Sequence, residues 1–579
     1  MLDFLGTLPP GIVMMVGALF IPFLPKKIQA WVALALPILS FGHLLGSYVD
    51  GDMVTSSIMG LKFNMVRVDR LALIFGYIFH IAAFLAGLYA LKVEDGIQHL
   101  SGMVYAGAAI AAVFAGDLIS LFIFWELTAI SSVFLIWASR NEDSLHCGIR
   151  YLVIQVASGV ILLAGAMMHY ANTGSLAFEN FVDANGMLTT ATTVILWSFG
   201  IKAAFPFLHN WLQDAYPKAT YSGTVFLSAF TTKLAIYALA RGFAGFEFLI
   251  PIGCLMTAFP IFFAVIENDL RRVLAYSLNN QLGFMVVGIG IGTQLSIDGA
   301  CAHAFAHIIY KGLLFMSMGA VLYRTGTTKA SELGGLHRTM PFTTIFCIIG
   351  GMSISAFPLF SGFAAKSLIA SAAGYEQMAL VTFVLLFASA GVMEHSGIKI
   401  PFFAFFAHDS GKRPKEAPWN MLLAMGIAAA FCIVIGVYPS ALYDILPNRA
   451  FDDHYGATYN AYSVTHVVTQ FELLLFAALA FGVLLRMKAY PPEIPSVNLD
   501  FDWVYRKLLP KVGLSFVTLF SAMGAAAKEL IMARVHKVQA GATDAFFGKD
   551  SRFGKDVDSS FSAMWAALLL GVYLFLYYV

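Results

Sequence analysis

Charge is what this 579-residue sequence has least of: Asp, Glu, Lys and Arg together make 12%, against 59% hydrophobic residues. A soluble domain carries about 25% charged and roughly 45–50% apolar residues, so too little polar surface exists here to cover a water-soluble globule. Cysteine is scarce as well. Cys147, Cys254, Cys301, Cys347 and Cys432 stand alone, mostly inside apolar runs, with no CxxC pair. That removes a disulfide framework, a zinc site and an iron–sulfur site. Net charge is +1 and no basic block occurs, so nucleic acid is not an expected partner. No nucleotide, flavin, quinone or cluster motif is present either, and no cofactor is expected. The first apolar run, from about Pro9 to Pro25, lacks a basic leader and passes straight into Lys26-Lys27 and another run. It reads as a membrane helix rather than a cleaved signal.

What the chain does have is apolar runs long enough to cross a bilayer, about 20 residues each. They are continuous rather than alternating, and only helices or closed barrels satisfy the backbone in lipid; the expected fold is therefore an all-α polytopic bundle. Helices are predicted near 9–25, 28–47, 70–92, 102–116, 118–139, 150–170, 191–211, 222–240 and 247–267. More follow near 271–292, 299–323, 341–370, 376–406, 419–438, 467–487 and 561–579, with 513–535 either a membrane or a surface helix. The count is about 14–17, with soft boundaries. Lys and Arg alternate between loops as the positive-inside rule requires. One set holds Lys26 and Lys27; Arg140 and Arg150; Lys218; Arg271 and Arg272; Arg324, Lys329 and Arg338; and Lys412, Arg413 and Lys415. The intervening loops are poor in both, and 171–190 has acidic residues but no basic one. This alternation puts the expected N-terminus outside the cytoplasm, and a plasma (inner) membrane is the expected location.

Two runs are interrupted. Pro206 sits in IKAAFPFLHNW on the seventh helix, and Pro358 and Gly362 sit in SAFPLFSGF on the twelfth. Proline removes a backbone donor, and a transporter tolerates the loss where the freed groups line a polar cavity. A spacing of five helices suits a pair of five-helix repeats. Ordinary kinking explains the prolines equally well.

The chemistry lies in ionisable residues in the middle of these runs: Glu126, Lys202, Lys233, His303, His307, Lys311 and Lys366. A charge at the bilayer centre costs at least roughly 2.5–3.5 kcal/mol on an insertion scale. Helix pairing explains one buried pair, such as Glu126 with Lys202, but one carboxylate cannot neutralise four lysines. A desolvated amine and its ammonium lie closer in free energy than they do in water, so these lysines can exchange protons near neutral pH. His303, His307 and Lys311 are spaced four apart and share one slanting helix face over roughly 12 Å, a geometry suited to a water-linked proton relay. Two histidines at this spacing can also bind a metal. No carboxylate or thiol shares their face and Lys311 repels a cation, so no metal is expected. Glu394, His395 and Lys399 form a further polar cluster, close enough to a helix end for snorkelling to be cheap.

These segments resemble the antiporter-like subunit family shared by respiratory complex I and the multi-subunit cation/proton antiporters. The resemblance is carried by FIFWELTAISS, IKAAFPFLHNWL (Lys202 to His209 and Trp211), KLAIYALAR, NDLRRVLAYSLNNQLGF, HAFAHIIYKGLLFMSMGA and FPLFSGFAAKSLI, in order over roughly residues 60–400. It implies two inverted five-helix repeats with broken seventh and twelfth helices. It also implies Glu126 and Lys202 as a coupled pair, Lys233 leading inward, His303, His307 and Lys311 as the central relay, and Lys366 at the far end, with His209 secondary. Departures exist: the loop after HNWL reads Gln213-Asp214-Ala215-Tyr216-Pro217-Lys218-Ala219-Thr220, without a histidine and two prolines usual there. Lys366 stands where some subfamilies carry glutamate. Within the family the chain looks most like the D-type subunit of sodium/proton antiporters.

The expected organisation is N-terminal membrane helices over 1–100, repeats over 101–245 and 246–406, C-terminal membrane helices over 407–487 and an extension over 488–579. In that extension Gly541, Gly548 and Gly554 are expected to interrupt any long helix. The expected function is ion transport rather than enzyme catalysis: a proton- or cation-translocating subunit of a multi-subunit antiporter, with other membrane subunits, protons and a monovalent cation as partners. The alternatives are a proton-pumping subunit of complex I or a membrane-bound hydrogenase, and a non-transporting membrane scaffold.

Overall fold

Short polar side chains set where the apolar helices begin. Asp69, Asp95, Asp117, Asn141, Thr189, Asp269 and Thr293 each turn an oxygen onto a backbone N–H of the following first turn. These donors cannot be left open next to lipid. Glycine closes three of the same helices, with Gly174, Gly292 and Gly326 at φ of 69°, 77° and 76°. This is the left-handed position at which a Cβ is penalised.

The computed structural model describes residues 6–58, 60–452, 454–495, 498, 500–548 and 559–578. It divides into two units, Met1–Asn498 and Leu499–Val579. The first unit runs through α1 (Ile12–Leu19), α2 (Lys26–Ser47), α3 (Arg70–Tyr89), α4 (Gly96–Val113), α5 (Leu118–Trp137), α6 (Glu142–Thr173), α7 (Thr190–Lys202), α8 (Asn210–Lys218) and α9 (Gly223–Gly242). It continues through α10 (Leu249–Ile266), α11 (Leu270–Ile291), α12 (Gln294–Thr325), α13 (Pro341–Ile354), α14 (Ser361–Tyr375), α15 (Ala379–Phe406), α16 (Trp419–Val437) and α17 (Val464–Arg486). The second unit is α18 (Val504–Phe547) and α19 (Ser559–Tyr578). Among the described residues, 13 helices are long and apolar enough to cross a membrane. The protein is thus a helical polytopic bundle, with two local additions the sequence did not announce. Strands β1 (Met53–Ile58) and β2 (Leu61–Arg67) pair antiparallel, and a two-residue pairing joins Phe451–Asp452 to Ala457–Thr458.

Two five-helix repeats make up the centre: α4, α5, α6, the pair α7–α8 and α9, then α10, α11, α12, the pair α13–α14 and α15. Five crossings are odd in number, so the second repeat enters the membrane from the side opposite to the first and is inverted. In both, the fourth helix is broken rather than kinked, and by the same device. Ala204-Phe205-Pro206-Phe207 and Ala356-Phe357-Pro358-Leu359 each hold their first and fourth residues at positive φ: 61° and 69° in one, 58° and 74° in the other. The amides of Phe205 and Phe357 reach back to Gly200 and Met352 at 2.9 and 3.0 Å, closing each helix with a Schellman-type cap in which alanine replaces glycine. Proline then opens a type II-like turn, closed by Leu208 to Phe205 at 2.9 Å and by Phe360 to Phe357 at 3.1 Å. Bulky residues at positive φ cost of order 1–3 kcal/mol each and cluster at functional sites.

Helices α9 and α12 lie at the heart of the unit, with 100% and 89% of their apolar stretches buried, whereas α17 has 17%. In α18, Gly541 does not interrupt the helix, which runs on to Phe547 before Gly548 ends it; the expectation of a break at Gly541 is corrected. An exposed helical glycine costs only about 0.5–1 kcal/mol against alanine, too little to break a helix this long. Gly554 lies outside the described residues.

Candidate functional site

All seven mid-membrane residues lie within the two repeats, and six of them are fully or almost fully buried: Lys202, Lys233, His303, His307 and Lys311 at 0% and Lys366 at 5% exposure. Glu126, on α5, is half-buried. Its carboxylate rests on α6 at Gly159, where a Cβ would fall 1.4 Å from Oε1. Lys202 is the last residue of α7. Its ammonium donates to the Trp125 carbonyl at 2.6 Å and the Thr128 hydroxyl at 3.1 Å, and lies 4.4 Å from the Trp125 ring centre. Among the described residues the two charges make no direct ion pair, and Glu126 Oε1 has no hydrogen-bond partner. The lysine instead occupies the carbonyl one residue before its expected partner.

Lys233 sits just past the bend in α9, donating to the Ser228 carbonyl at 2.6 Å and Thr232 Oγ1 at 3.2 Å. On α12, His303 Nε2 lies 2.9 Å from the Tyr310 hydroxyl, which donates to Gln281 Oε1 of α11 at 3.1 Å. The His307 ring packs beside both His303 and Tyr310, with centroids 6.1 and 5.2 Å away. Neither His307 nitrogen, nor Lys311 Nζ, has a hydrogen-bond partner among the described residues. Lys233, Lys311 and Lys366 all lie within electrostatic reach of His307. Lys366, on α14, reaches back across the second break to the Ile354 carbonyl at 2.7 Å and lies 5.0 Å from the Phe284 ring centre. The result is a file of buried ionisable groups running through the core from one broken helix to the other.

The secondary residues fall in two places. His209 heads α8, buried, with its ring edge-on to Phe259 at 5.6 Å. Glu394, His395 and Lys399 lie on α15, where the helix widens into π turns over Met393–Ile398 and Phe402–Phe406. His395 Nδ1 contacts Ser396 Oγ at 2.8 Å, and Ser396 donates to Ser277 of α11 at 2.7 Å. Snorkelling does not describe Lys399, which is 0% exposed and ion-paired to Glu493 at 2.9 Å. Burial pushes the Glu493 carboxyl up, against the pull of Lys399. Sequence reasoning missed Trp125, Thr128, Tyr310, Gln281 and Glu493. Only Gln281 carried a signal, as part of the polar triplet Asn279-Asn280-Gln281 in the middle of an apolar run.

Comparison with known proteins gives this arrangement a context. The family described as "NADH:quinone oxidoreductase/Mrp antiporter, TM" matches residues 115–394. The chain is 29% identical to the A-type subunit of the Na(+)/H(+) antiporter of Alkalihalophilus pseudofirmus, over 73% of this chain and 60% of that protein. To hydrogenase-4 component B of Escherichia coli it is 25% identical, over 58% of this chain and 56% of that protein. It therefore spans about 60% of the length of the A-type protein. Two solved structures share the fold. One chain of the Mrp complex from a Dietzia species has a TM-score of 0.70 at 19% identity, covering 81% of this chain and 99% of that one. One chain of an archaeal membrane-bound sulfane sulfur reductase has a TM-score of 0.68 at 22% identity, covering 97% of this chain and 99% of that one. To the D-type subunit of the same Alkalihalophilus pseudofirmus antiporter the chain is 30% identical, over 56% of this chain and 69% of that protein. With the paired helix breaks and the buried lysine–histidine file, this match means that the chain belongs to the antiporter-like membrane subunit family shared by respiratory complex I and multi-subunit sodium/proton antiporters.

Proposed function

We propose that this chain is a proton- and cation-translocating subunit of a multi-subunit Na+/H+ antiporter, seated in a plasma (inner) membrane with its N-terminus outside the cytoplasm. The observation that carries the reading is the file itself: four lysines and two histidines, all buried, lie between two helices broken at matching places. Buried ionisable groups inside a membrane are costly and mark ion paths. Lys202 has two stations, the Trp125 carbonyl where it lies and the Glu126 carboxylate one residue on. Its passage between them alters the field felt by Lys233, which relays through His307 and Lys311 to Lys366. Moving one charge through 100 mV is worth about 2.3 kcal/mol. A tenfold change in proton affinity is worth about 1.4 kcal/mol, so modest changes at each lysine suffice to couple to the membrane potential.

The deciding variant is Lys311→Arg. Arginine keeps its proton at any accessible pH, so it preserves the charge and ends proton transfer. At matched protein levels, dye-reported proton movement in vesicles holding the complete complex should fall at least tenfold, as it should in Glu126→Ala. Wild-type rates in Lys311→Arg would leave the lysine a helix-pairing cation and remove the relay. The likeness to hydrogenase-4 component B and to the sulfane sulfur reductase chain supports a second reading, a proton-pumping subunit driven by electron transfer in its partners. The subunits that co-purify with the chain separate the two.

A further inference from the structure

Past α17 the chain turns back towards the bundle, and two of its residues become buried against α15: Tyr490 at 5% exposure and Glu493, whose side chain is 7% exposed. The Tyr490 ring packs on Phe403 and Phe481 at 6.3 and 4.9 Å. Glu493 Oε1 lies 2.9 Å from the Lys399 ammonium, while Oε2 is buried with no hydrogen-bond partner among the described residues. Lys399 also donates to the carbonyls of Val265 at 2.6 Å, Glu267 at 2.7 Å and Ala264 at 3.3 Å, the open C-terminal end of α10. This is the end of the bundle that carries the basic loops, since Arg271 and Arg272 follow α10 and Lys412 and Arg413 follow α15. On its inner side Lys399 lies within electrostatic reach of His395, as do Lys311 and Lys366.

We propose that Glu493 and Lys399 form a second carboxylate–lysine pair of the translocation file, joining the central relay through His395 to the basic-loop side of the membrane. The proposal rests on the proton-translocation reading. Lys399 stands on a turn of helix flanked by two π segments, a distortion that recurs at functional sites. Glu493 is held by a segment outside the helices, so it can reach water without unwinding a membrane span. A proton from that side joins the Glu493 carboxylate, passes to the neutral Lys399 amine and restores the ion pair. Lys399 then releases a proton to the free nitrogen of His395, whose ring proton moves on towards Lys311. Each transfer leaves the total charge unchanged. The first repeat has its carboxylate on α5, whereas the second takes one from the strap after α17.

Three variants of the complete complex, assayed in vesicles at matched protein levels, test this. Glu493→Gln and Lys399→Arg should each slow proton movement at least tenfold, and Glu493→Asp should retain part of the rate. Arginine keeps the ion pair and the cap on α10, so a purely structural lysine predicts full transport in Lys399→Arg. That result overturns the proposal even if Glu493→Gln lowers the amount of complex. Glu126→Gln serves as the reference. If it abolishes transport while Lys399→Arg and Glu493→Asp run at wild-type rates, only the second pair falls. If Glu126→Gln also transports normally, the translocation reading falls with it.

Discussion

Glu126 owes its place to an atom that is missing on α6. A Cβ at Gly159 would fall 1.4 Å from Oε1 and 2.4 Å from Cδ of the carboxylate. The clash is with the far end of a flexible side chain, so Gly159→Ala should fold and assemble normally while driving the carboxylate off its station. Proton movement should drop at least tenfold with no loss of complex in the membrane. Normal transport in this variant would mean that the placement of Glu126 is irrelevant. At this scale the sequence was legible where a charge interrupts an apolar run, which is how Lys202, Lys233, His303, His307, Lys311 and Lys366 stand out. It was silent where a partner is neutral or distant. The Trp125 carbonyl that holds Lys202 is a backbone atom common to every residue, and Glu493 lies in the proline-rich stretch Pro491-Pro492-Glu493-Ile494-Pro495, which reads as surface loop.

The two broken helices show how an element can be half legible. Pro206 and Pro358 marked the positions, but proline alone gives a kink as readily as a break. What completes each break is an alanine and a bulky residue at positive φ, and no sequence rule predicts Ala204, Phe207, Ala356 or Leu359 in a conformation that favours glycine. Surrounding structure must hold them there, and for the second break part of that structure is α16. A Cβ at Gly436 would meet the Leu359 carbonyl oxygen at 2.2 Å and Phe360 Cα at 2.4 Å, both backbone atoms. Gly426, on the same helix, would place its Cβ no nearer than 3.5 Å to the Phe346 ring. Gly436→Ala should therefore cost about 1–3 kcal/mol through overpacking, lower the thermal midpoint of the detergent-solubilised complex and impair transport. Gly426→Ala should stay at or slightly above wild type, since alanine favours helix by roughly 0.5–1 kcal/mol. Equal behaviour of the two variants would show that α16 does not hold the break.

For the whole molecule, the division at Asn498 separates a part that carries its own core from a part that does not. Every residue of the buried file lies before that point, as does the strap bearing Glu493. Beyond it, α18 and α19 bury none of their described residues, and leave Phe516, Phe520, Leu530, Leu574 and Phe575 exposed. At 44 residues, α18 is about 66 Å long at 1.5 Å per residue. That is twice the roughly 30 Å hydrocarbon core, too long for an ordinary crossing. The sequence hid this because glycines in a helix look like interruptions until the flanking apolar and alanine-rich turns are seen to carry the helix through them. Exposed apolar surface on this scale is stable only against lipid or another protein. A chain ending at Asn498 should then keep the thermal midpoint of the first unit, because none of the residues in its core is lost. The same truncation should lower, severalfold, the amount of other subunits recovered with the chain under mild detergent, because the apolar surface lost is not covered within its own unit. An early-melting truncated chain would show that the second unit supports the first, and undiminished recovery of every other protein of the complex would show that α18 and α19 face lipid alone.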